Sequence, residues 1–314
     1  MNRRLKTAIK YFLYFSPAPL KKYVHKKIDA RILADSMERF KRCKVSKEEV
    51  EAVLSQIDFD SDIMLHTSTM NLGRVAGGVK WLTEQILSRC DLERHTLLVS
   101  ALPFFGSFAE YLHEGMTFDV RTAPIAMGAI NERIAAMPEA RRSVHPTHSV
   151  VAIGKDADFY TGTHHLDKTP FGPNSPYYKL LQRKAKVLLF GATMNNITFI
   201  HAIEDALGDA YPVKHIYSKR RYRIDCVTAE GESVTVDTPV HDPFTSIRRD
   251  SNFMFDDGLR HGYLKAWKLG EGYVTLLDTE AFTARYVEML KNGESIYGRC
   301  RKLDKDIDVR FCEN

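Results

Sequence analysis

Ile63-Met64-Leu65-His66-Thr67-Ser68-Thr69-Met70-Asn71-Leu72-Gly73-Arg74-Val75-Ala76-Gly77-Gly78-Val79 is the stretch on which the fold turns. Its first three residues form a short apolar run of the kind that makes a buried strand. From Gly78 to Leu87 the residues Val79, Leu82 and Ile86 recur at helical spacing. A second apolar run, Thr96-Leu97-Leu98-Val99, follows. Strand, helix, strand predicts an α/β layered core. Lys186-Val187-Leu188-Leu189-Phe190 supplies a third buried strand.

Working outward, Ser46-Lys47-Glu48-Glu49 has the capping-box pattern and opens a helix that turns Val50, Val53 and Leu54 inward. Two alternating runs flank Gly231, with Tyr222, Ile224 and Cys226 on one face before it and Ser233, Thr235 and Asp237 on one face after it, a predicted hairpin. Tyr263–Leu269 and Tyr273–Leu277 flank Gly270 and Gly272 in the same way, and Phe282–Leu290 reads as a closing helix. Short strands and helices alternate without a repeat or a low-complexity tract. The expected fold class is therefore α/β, a mixed central sheet flanked by helices in a single layered domain running from residue 46 to 314.

Residues 1–45 read as a basic extension to that domain. The first 50 residues hold 14 Lys and Arg against 5 Asp and Glu, a balance of +9, and the remaining chain holds 31 against 35, a balance of −4. Leu5, Ile9, Phe12 and Leu13 follow helical spacing among Arg3, Arg4, Lys6 and Lys10, and Pro17 and Pro19 are expected to stop that helix. Lys21, Lys22, Lys26 and Lys27 form a second basic run. One reading is a basic element on an anionic membrane surface or a partner; the other is a helix packed on the domain itself. No apolar run approaches the roughly 20 residues of a membrane span. Lys10 interrupts the apolar stretch of any signal peptide. The 5 cysteines are scattered without a CxxC pair, which favours a reducing cytoplasm over a disulfide framework. No nucleic-acid partner is expected. The mildly acidic body suits a cationic substrate, though weakly.

Four groups of residues carry the chemical signals. The loop from His66 to Gly78 follows a strand and opens a helix, where free amides and glycines suit a phosphate; its spacing is neither a P-loop nor a dinucleotide fingerprint, and alone it reads as a tight turn. Phe118-Asp119-Val120-Arg121-Thr122-Ala123-Pro124-Ile125-Ala126-Met127-Gly128 leads from an extended stretch into a helix near Met127. Arg142-Ser143-Val144-His145-Pro146-Thr147-His148-Ser149 is a turn, because the residue before proline avoids helix, and two histidines there make no recognised metal pattern. Thr198, His201 and Glu204 have a spacing that puts all three on one side of a helix. A histidine with a neighbouring carboxylate is a sensible general base, yet a surface His–Glu pair has the same spacing. His164-His165 and His241-Asp242-Pro243 read as a loop pair and a turn. No metal site is expected, and the cysteines offer no thiol chemistry.

Together these motifs resemble the aminoglycoside 3-N-acetyltransferase family, over roughly residues 46–295. The family shows a His-Ser-Ser-Leu run, a Leu-Gly and a Gly-Gly pair, matched here by His66, Ser68, Leu72, Gly73, Gly77 and Gly78, with Thr67 for the first serine and Thr69 for the leucine. Its Arg-Thr-x-Pro-x-x-Met-Gly pattern matches Arg121–Gly128, its Arg-Ser-x-His-Pro-x-His-Ser signature matches Arg142–Ser149, and its Thr-x-x-His-x-x-Glu pattern matches Thr198, His201 and Glu204. The resemblance implies acetyl-CoA as cosubstrate, its pantetheine and pyrophosphate held by His66, Thr67, Ser68, Gly73, Arg74, Val75, Gly77 and Gly78. It implies an aminoglycoside or related amino-sugar acceptor near Asp119, His145 and His148. It implies direct attack of the amine on the thioester, with His201 as base, Thr198 and Glu204 beside it, and donors stabilising the oxyanion. The basic extension raises one alternative, an amino-sugar N-acyltransferase in surface-polysaccharide assembly at the cytoplasmic membrane face; a separate alternative, from another class, is a non-catalytic CoA-binding or scaffold protein that keeps the fold.

Overall fold

The apolar runs become strands whose alternate residues feed two different cores. In a computed structural model of the chain, which describes residues 11–12, 15–104, 106–309 and 311, the strands include β1 Lys44–Val45, β2 Ile63–Thr67, β3 Arg74–Val75, β4 Thr96–Ser100, β5 Thr117–Asp119, β6 Arg141–Arg142, β7 Val150–Gly154, β8 Lys186–Phe190, β9 Tyr217–Val227, β10 Ser233–His241, β11 Leu264–Leu269 and β12 Gly272–Asp278. The principal sheet has the order β11-β12-β8-β2-β4-β7-β6. Its centre, β8-β2-β4, is parallel, and the strands on both sides run antiparallel. Parallel strands are covered on both faces, which is why their sequences are almost continuously apolar. Leu65, Leu97, Val99, Leu188 and Phe190 point into one core, and Met64, Leu98, Val187 and Leu189 into the other.

The helices that cover these faces include α1 Ala18–Arg42, α2 Lys47–Leu54, α3 Gly78–Leu87, α4 Ala129–Ala135, α5 Pro176–Gln182, α6 Ile200–Leu207, α7 Met254–His261 and α8 Thr279–Lys291. α2 starts as its sequence predicts: Ser46 accepts from the Glu49 amide, and the Glu49 side chain accepts from the Ser46 amide. Its inward residues and those of α3 and α4 fill the core behind Leu65 and Leu188. α5, α6 and α8 fill the other core through Leu180, Ile200, Ile203, Phe282, Tyr286 and Leu290. A second sheet, β10-β9-β5, carries a smaller core of Phe118, Tyr222, Ile224, Cys226 and Val236. The predicted hairpin faces hold: Ser233, Thr235 and Asp237 are exposed.

Three points differ from the sequence reading. Pro19 lies inside a helix, in the first turn of α1, where its missing N–H costs no hydrogen bond. Of the helix expected at residues 5–13, only Tyr11 and Phe12 are among the described residues. The body is entered before Ser46, because β1 pairs in parallel with β3 and Val45 is buried. Finally, β7 is a strand that the motif reading passed over. It runs antiparallel to β4 and brings the end of the Arg142–Ser149 turn to the carboxyl end of that strand.

Candidate active site

Three of the four motif segments converge at the carboxyl ends of the parallel strands, the edge at which open α/β sheets bind ligands. The Ser68 amide donates to the Phe190 carbonyl (2.9 Å), and the Asn71 side-chain amide donates to the Gly191 carbonyl (3.0 Å), so the loops after β2 and β8 are tied together. Gly191 sits at φ +76° with room for no Cβ, since one would lie 2.5 Å from the Ser68 carbonyl oxygen. At the end of β4, the Ala101 amide donates to the Ser149 carbonyl, and the Ser149 hydroxyl donates to the Ala101 carbonyl (2.6 Å). The Arg142 guanidinium donates to the carbonyls of Ala101, Ala123 and Pro124, clamping the 119–124 segment to the same edge; burial lowers its pKa to about 10.

On α6, His201 and Glu204 meet as expected one turn apart: His201 Nδ1 lies 2.8 Å from Glu204 Oε2, and each residue is only 3% exposed. The Tyr211 hydroxyl donates to Glu204 Oε1 (3.2 Å) and the Tyr297 hydroxyl to Oε2 (3.3 Å). Burial pushes His201 well below its ordinary pKa and raises that of Glu204 to about 8. The chemistry depends on where the shared proton lies. With Glu204 ionised it accepts Nδ1–H, which leaves the Nε2 lone pair free to act as a base. Thr198 does not share the helix. It precedes α6 by two residues, its carbonyl accepting from the His201 amide (3.2 Å) and its hydroxyl donating to the Asn196 carbonyl (3.3 Å). The short 3₁₀ turn at Met194–Asn196 delays the α-helix.

Around the dyad lies a histidine cluster that no local pattern announced. The His241 ring stands 4.3 Å from that of His201, centroid to centroid, and Phe171 lies 5.0 Å from His201 and 4.8 Å from His148. His145 is fully buried; its Nδ1 accepts the Thr147 and His148 amides (3.3 and 3.1 Å), so it holds the turn from inside. His148 Nδ1 is 2.8 Å from the Thr147 hydroxyl. His164, read as part of a plain loop, stacks on His145 at 4.5 Å and is held by the Ser143 hydroxyl. Burial drives all five imidazoles downward from their ordinary range. One donor atom each from His201, Glu204 and His241 lies within 4.8 Å of the others, a spacing that a metal ion accepts. The adjacent Arg249 charge, felt by all three groups, opposes a dication there.

The residues expected to hold CoA divide by exposure. Arg74, Gly77 and Gly78 are exposed, Thr67 and Ser68 half-buried, and His66, Gly73 and Val75 buried. Gly77 caps α3 at φ +81° without a side-chain capping bond, and a Cβ on Gly78 would meet nothing within 4 Å. The start of α3 thus has no side-chain cap, and Arg74 just before it is exposed, a combination that suits an anionic group. Gly73 instead packs against the Cys43 carbonyl, and His66, whose pKa burial lowers to about 4, has an unpartnered Nε2.

Asp119 is not brought to the histidines. Its carboxylate is engaged by Arg121 (2.6 and 2.9 Å), which lowers its pKa to about 2. It pairs with Val227, whereas His241 pairs with Tyr217 at the other end of β9. At about 3.3 Å per residue, that is roughly 30 Å of strand. What the sequence did not reveal is Asp205, next to the dyad. It accepts from Thr169 (2.5 Å) and Tyr217 (2.8 Å), and burial raises its pKa to about 7. It lines a cavity of about 390 Å³ with Glu204, Asp209, Tyr211 and Tyr217.

With this geometry in hand, the relatives are informative. A family model described as aminoglycoside 3-N-acetyltransferase matches residues 64–291. Aminoglycoside N(3)-acetyltransferase III of Serratia marcescens is 30% identical over 184 residues, 58% of this chain and 59% of that protein. Aminoglycoside N(3)-acetyltransferase VII of Streptomyces paromomycinus is 32% identical over 163 residues, 47% of this chain and 55% of that protein. The chain thus spans a little over half the length of the curated relatives it matches. The fold is that of the crystal structure of aminoglycoside acetyltransferase AAC(3)-Xa, with 23% identity, 87% of this chain and 99% of that chain covered, and a TM-score of 0.63. A structure of AAC-IIIb binary with CoASH agrees to the same TM-score of 0.63, at 22% identity over 79% of this chain and 97% of that one.

Proposed function

Because the chain belongs to the aminoglycoside 3-N-acetyltransferase family, we propose that it moves an acetyl group from acetyl-CoA to an amine of an aminoglycoside or related amino sugar, with His201 as general base. The buried His201–Glu204 dyad at the carboxyl edge of the parallel strands carries this reading. An amino-sugar amine is largely protonated at neutral pH and attacks a thioester only after losing a proton. His201 Nε2 takes that proton, and the Glu204 carboxylate stabilises the imidazolium that forms. Acetyl-CoA supplies the thioester. The uncapped start of α3, with Gly77, Gly78 and Arg74, would hold its phosphates, and the Ser68–Asn71 loop tied to Gly191 leads from there toward α6. The names of the relatives support a cationic acceptor. Thr198, whose carbonyl accepts from the His201 amide, and His148, which packs on Phe171 next to His201, are assigned to positioning and to the acceptor wall.

The extension is assigned a separate role. α1 exposes Leu20, Tyr23, Ile28 and Met37 among basic residues, which supports a peripheral contact with an anionic surface from the cytoplasmic side. Among the described residues no helix is long and apolar enough to cross a membrane.

The test is release of CoA thiol from acetyl-CoA against a panel of aminoglycosides and nucleotide-linked amino sugars, with His201→Ala in parallel. Turnover on an aminoglycoside, lowered at least about 100-fold in the variant, is the expected result. Turnover on nucleotide-linked sugars alone would move the acceptor to polysaccharide assembly. Acetyl-CoA binding without turnover on any amine would leave a binding protein.

A further inference from the structure

Glu204 sits among three buried tyrosines, one just beyond its own helix and two from the far end of the chain. Tyr211 follows α6, Tyr286 lies on α8, and Tyr297 lies beyond residue 291, where the family match ends. The Tyr297 hydroxyl donates to Oε2, the same oxygen that faces His201 Nδ1. The Tyr211 hydroxyl donates to Oε1, and its own oxygen lies 2.8 Å from the Tyr286 hydroxyl. With one proton each, the consistent chain runs from Tyr286 to Tyr211 to Glu204. Every oxygen of the carboxylate then accepts a hydroxyl proton, an arrangement that favours the ionised acid.

Resting on the assignment of His201 as base, we propose that Tyr297 and Tyr211 are positioning residues: their hydroxyls let Glu204 ionise at a lower pH than burial alone would allow, and in that ionised pair the His201 proton stays on Nδ1 and Nε2 remains free. The opposing influence is burial, which by itself favours the neutral acid. The other groups facing the carboxylate are Asp205 on the same helix, Tyr217 on β9 and the Arg249 guanidinium. The tyrosines themselves stay protonated, because burial raises all three well above the ordinary phenol range. Without the hydroxyl donors the acid takes the proton, donates it to Nδ1, and leaves Nε2–H pointing at an amine that needs a base.

The experiment is the kcat/KM profile, from about pH 6 to about pH 9.5, of wild type, Tyr297→Phe, Tyr211→Phe, Tyr286→Phe and His201→Ala. The acceptor amine titrates identically in all of them, so differences belong to the enzyme. Tyr297→Phe is expected to lose roughly tenfold near pH 6 and to recover to within about twofold near pH 9.5, an acid limb moved up by about one pH unit. Tyr211→Phe follows the same course, and Tyr286→Phe, one bond further away, shows a smaller displacement. A uniform loss at every pH, or an unmoved limb, overturns the proposal. Imidazole ¹⁵N resonances at about pH 8.5, just above the pKa of Glu204, give a second reading without turnover. The His201 ring is expected to be protonated on Nδ1 in wild type and to shift toward Nε2 protonation in Tyr297→Phe or Tyr211→Phe, whichever folds; an unchanged tautomer overturns the proposal. A fully active His201→Ala removes the base and this inference together, whereas an inactive one with an unmoved tyrosine limb removes the inference alone.

Discussion

Replacing Glu204 by Gln isolates the contribution of the carboxylate to the base. Glutamine keeps the size of the side chain, so the 2.8 Å approach to His201 Nδ1 and the packing of a residue only 3% exposed are retained. What is lost is the charge facing the imidazolium formed when His201 takes the amine proton. At such burial no water replaces it. A hydrogen bond to a charged group contributes about 1.5–3 kcal/mol, which converts to a roughly 10- to 150-fold fall in kcat. KM for the acceptor and the affinity for acetyl-CoA should stay near wild type. The pH dependence changes as well. Burial raises the pKa of Glu204 to about 8, and the ionised form is the productive one, so wild-type activity rises with pH through that region. The variant lacks that ionisation and loses its share of the acid limb. The assay is thiol release with saturating acetyl-CoA over a pH series, with calorimetric acetyl-CoA binding as the control for folding. A variant within about threefold of wild type that keeps its acid limb would mean that a different carboxylate orients His201.

Four further outcomes follow from the same contacts. Because the pKa of Glu204 in the folded chain lies above its ordinary 4.5, its contribution to stability is complete below that value and falls as pH rises through about 8; the melting temperature of wild type should drop relative to Glu204→Gln across that window. Gly191→Ala, at φ +76° and with its Cβ 2.5 Å from the Ser68 carbonyl oxygen, should cost about 1–3 kcal/mol in urea unfolding and weaken acetyl-CoA binding by displacing the loop after β2. Asp119→Ala should leave kcat/KM within about threefold, since its carboxylate is committed to a partly exposed pair with Arg121; a loss beyond tenfold would restore it as an acceptor contact. Removing residues 1–40, which spares β1, should abolish co-sedimentation with anionic vesicles and leave turnover intact; retained sedimentation would move the membrane contact elsewhere.

The local grammar of this chain was legible from its residues. Buried parallel strands need uninterrupted apolar runs, so β2, β4 and β8 stood out, and the capping box at Ser46 set the start of α2. The i, i+3 relation of His201 and Glu204 is a property of any helix, and it survived with a 2.8 Å contact. Thr198 shows the limit of that logic, because a 3₁₀ turn just upstream delays the helix beyond it. Tertiary structure alone decided what surrounds the dyad. His241 reaches His201 from the end of β10, His164 stacks on His145 from a 3₁₀ turn, and from the far end of the chain Tyr297 reaches Glu204 and Tyr286 reaches Tyr211. None of these carries a local signal, since a histidine before Asp-Pro or a tyrosine on an apolar helix face looks the same wherever the chain later folds. Periodicity encodes which side of an element is buried. Which distant side chains share that burial, and so which protons an imidazole holds, is set by how the sheet and its covering helices close on one another.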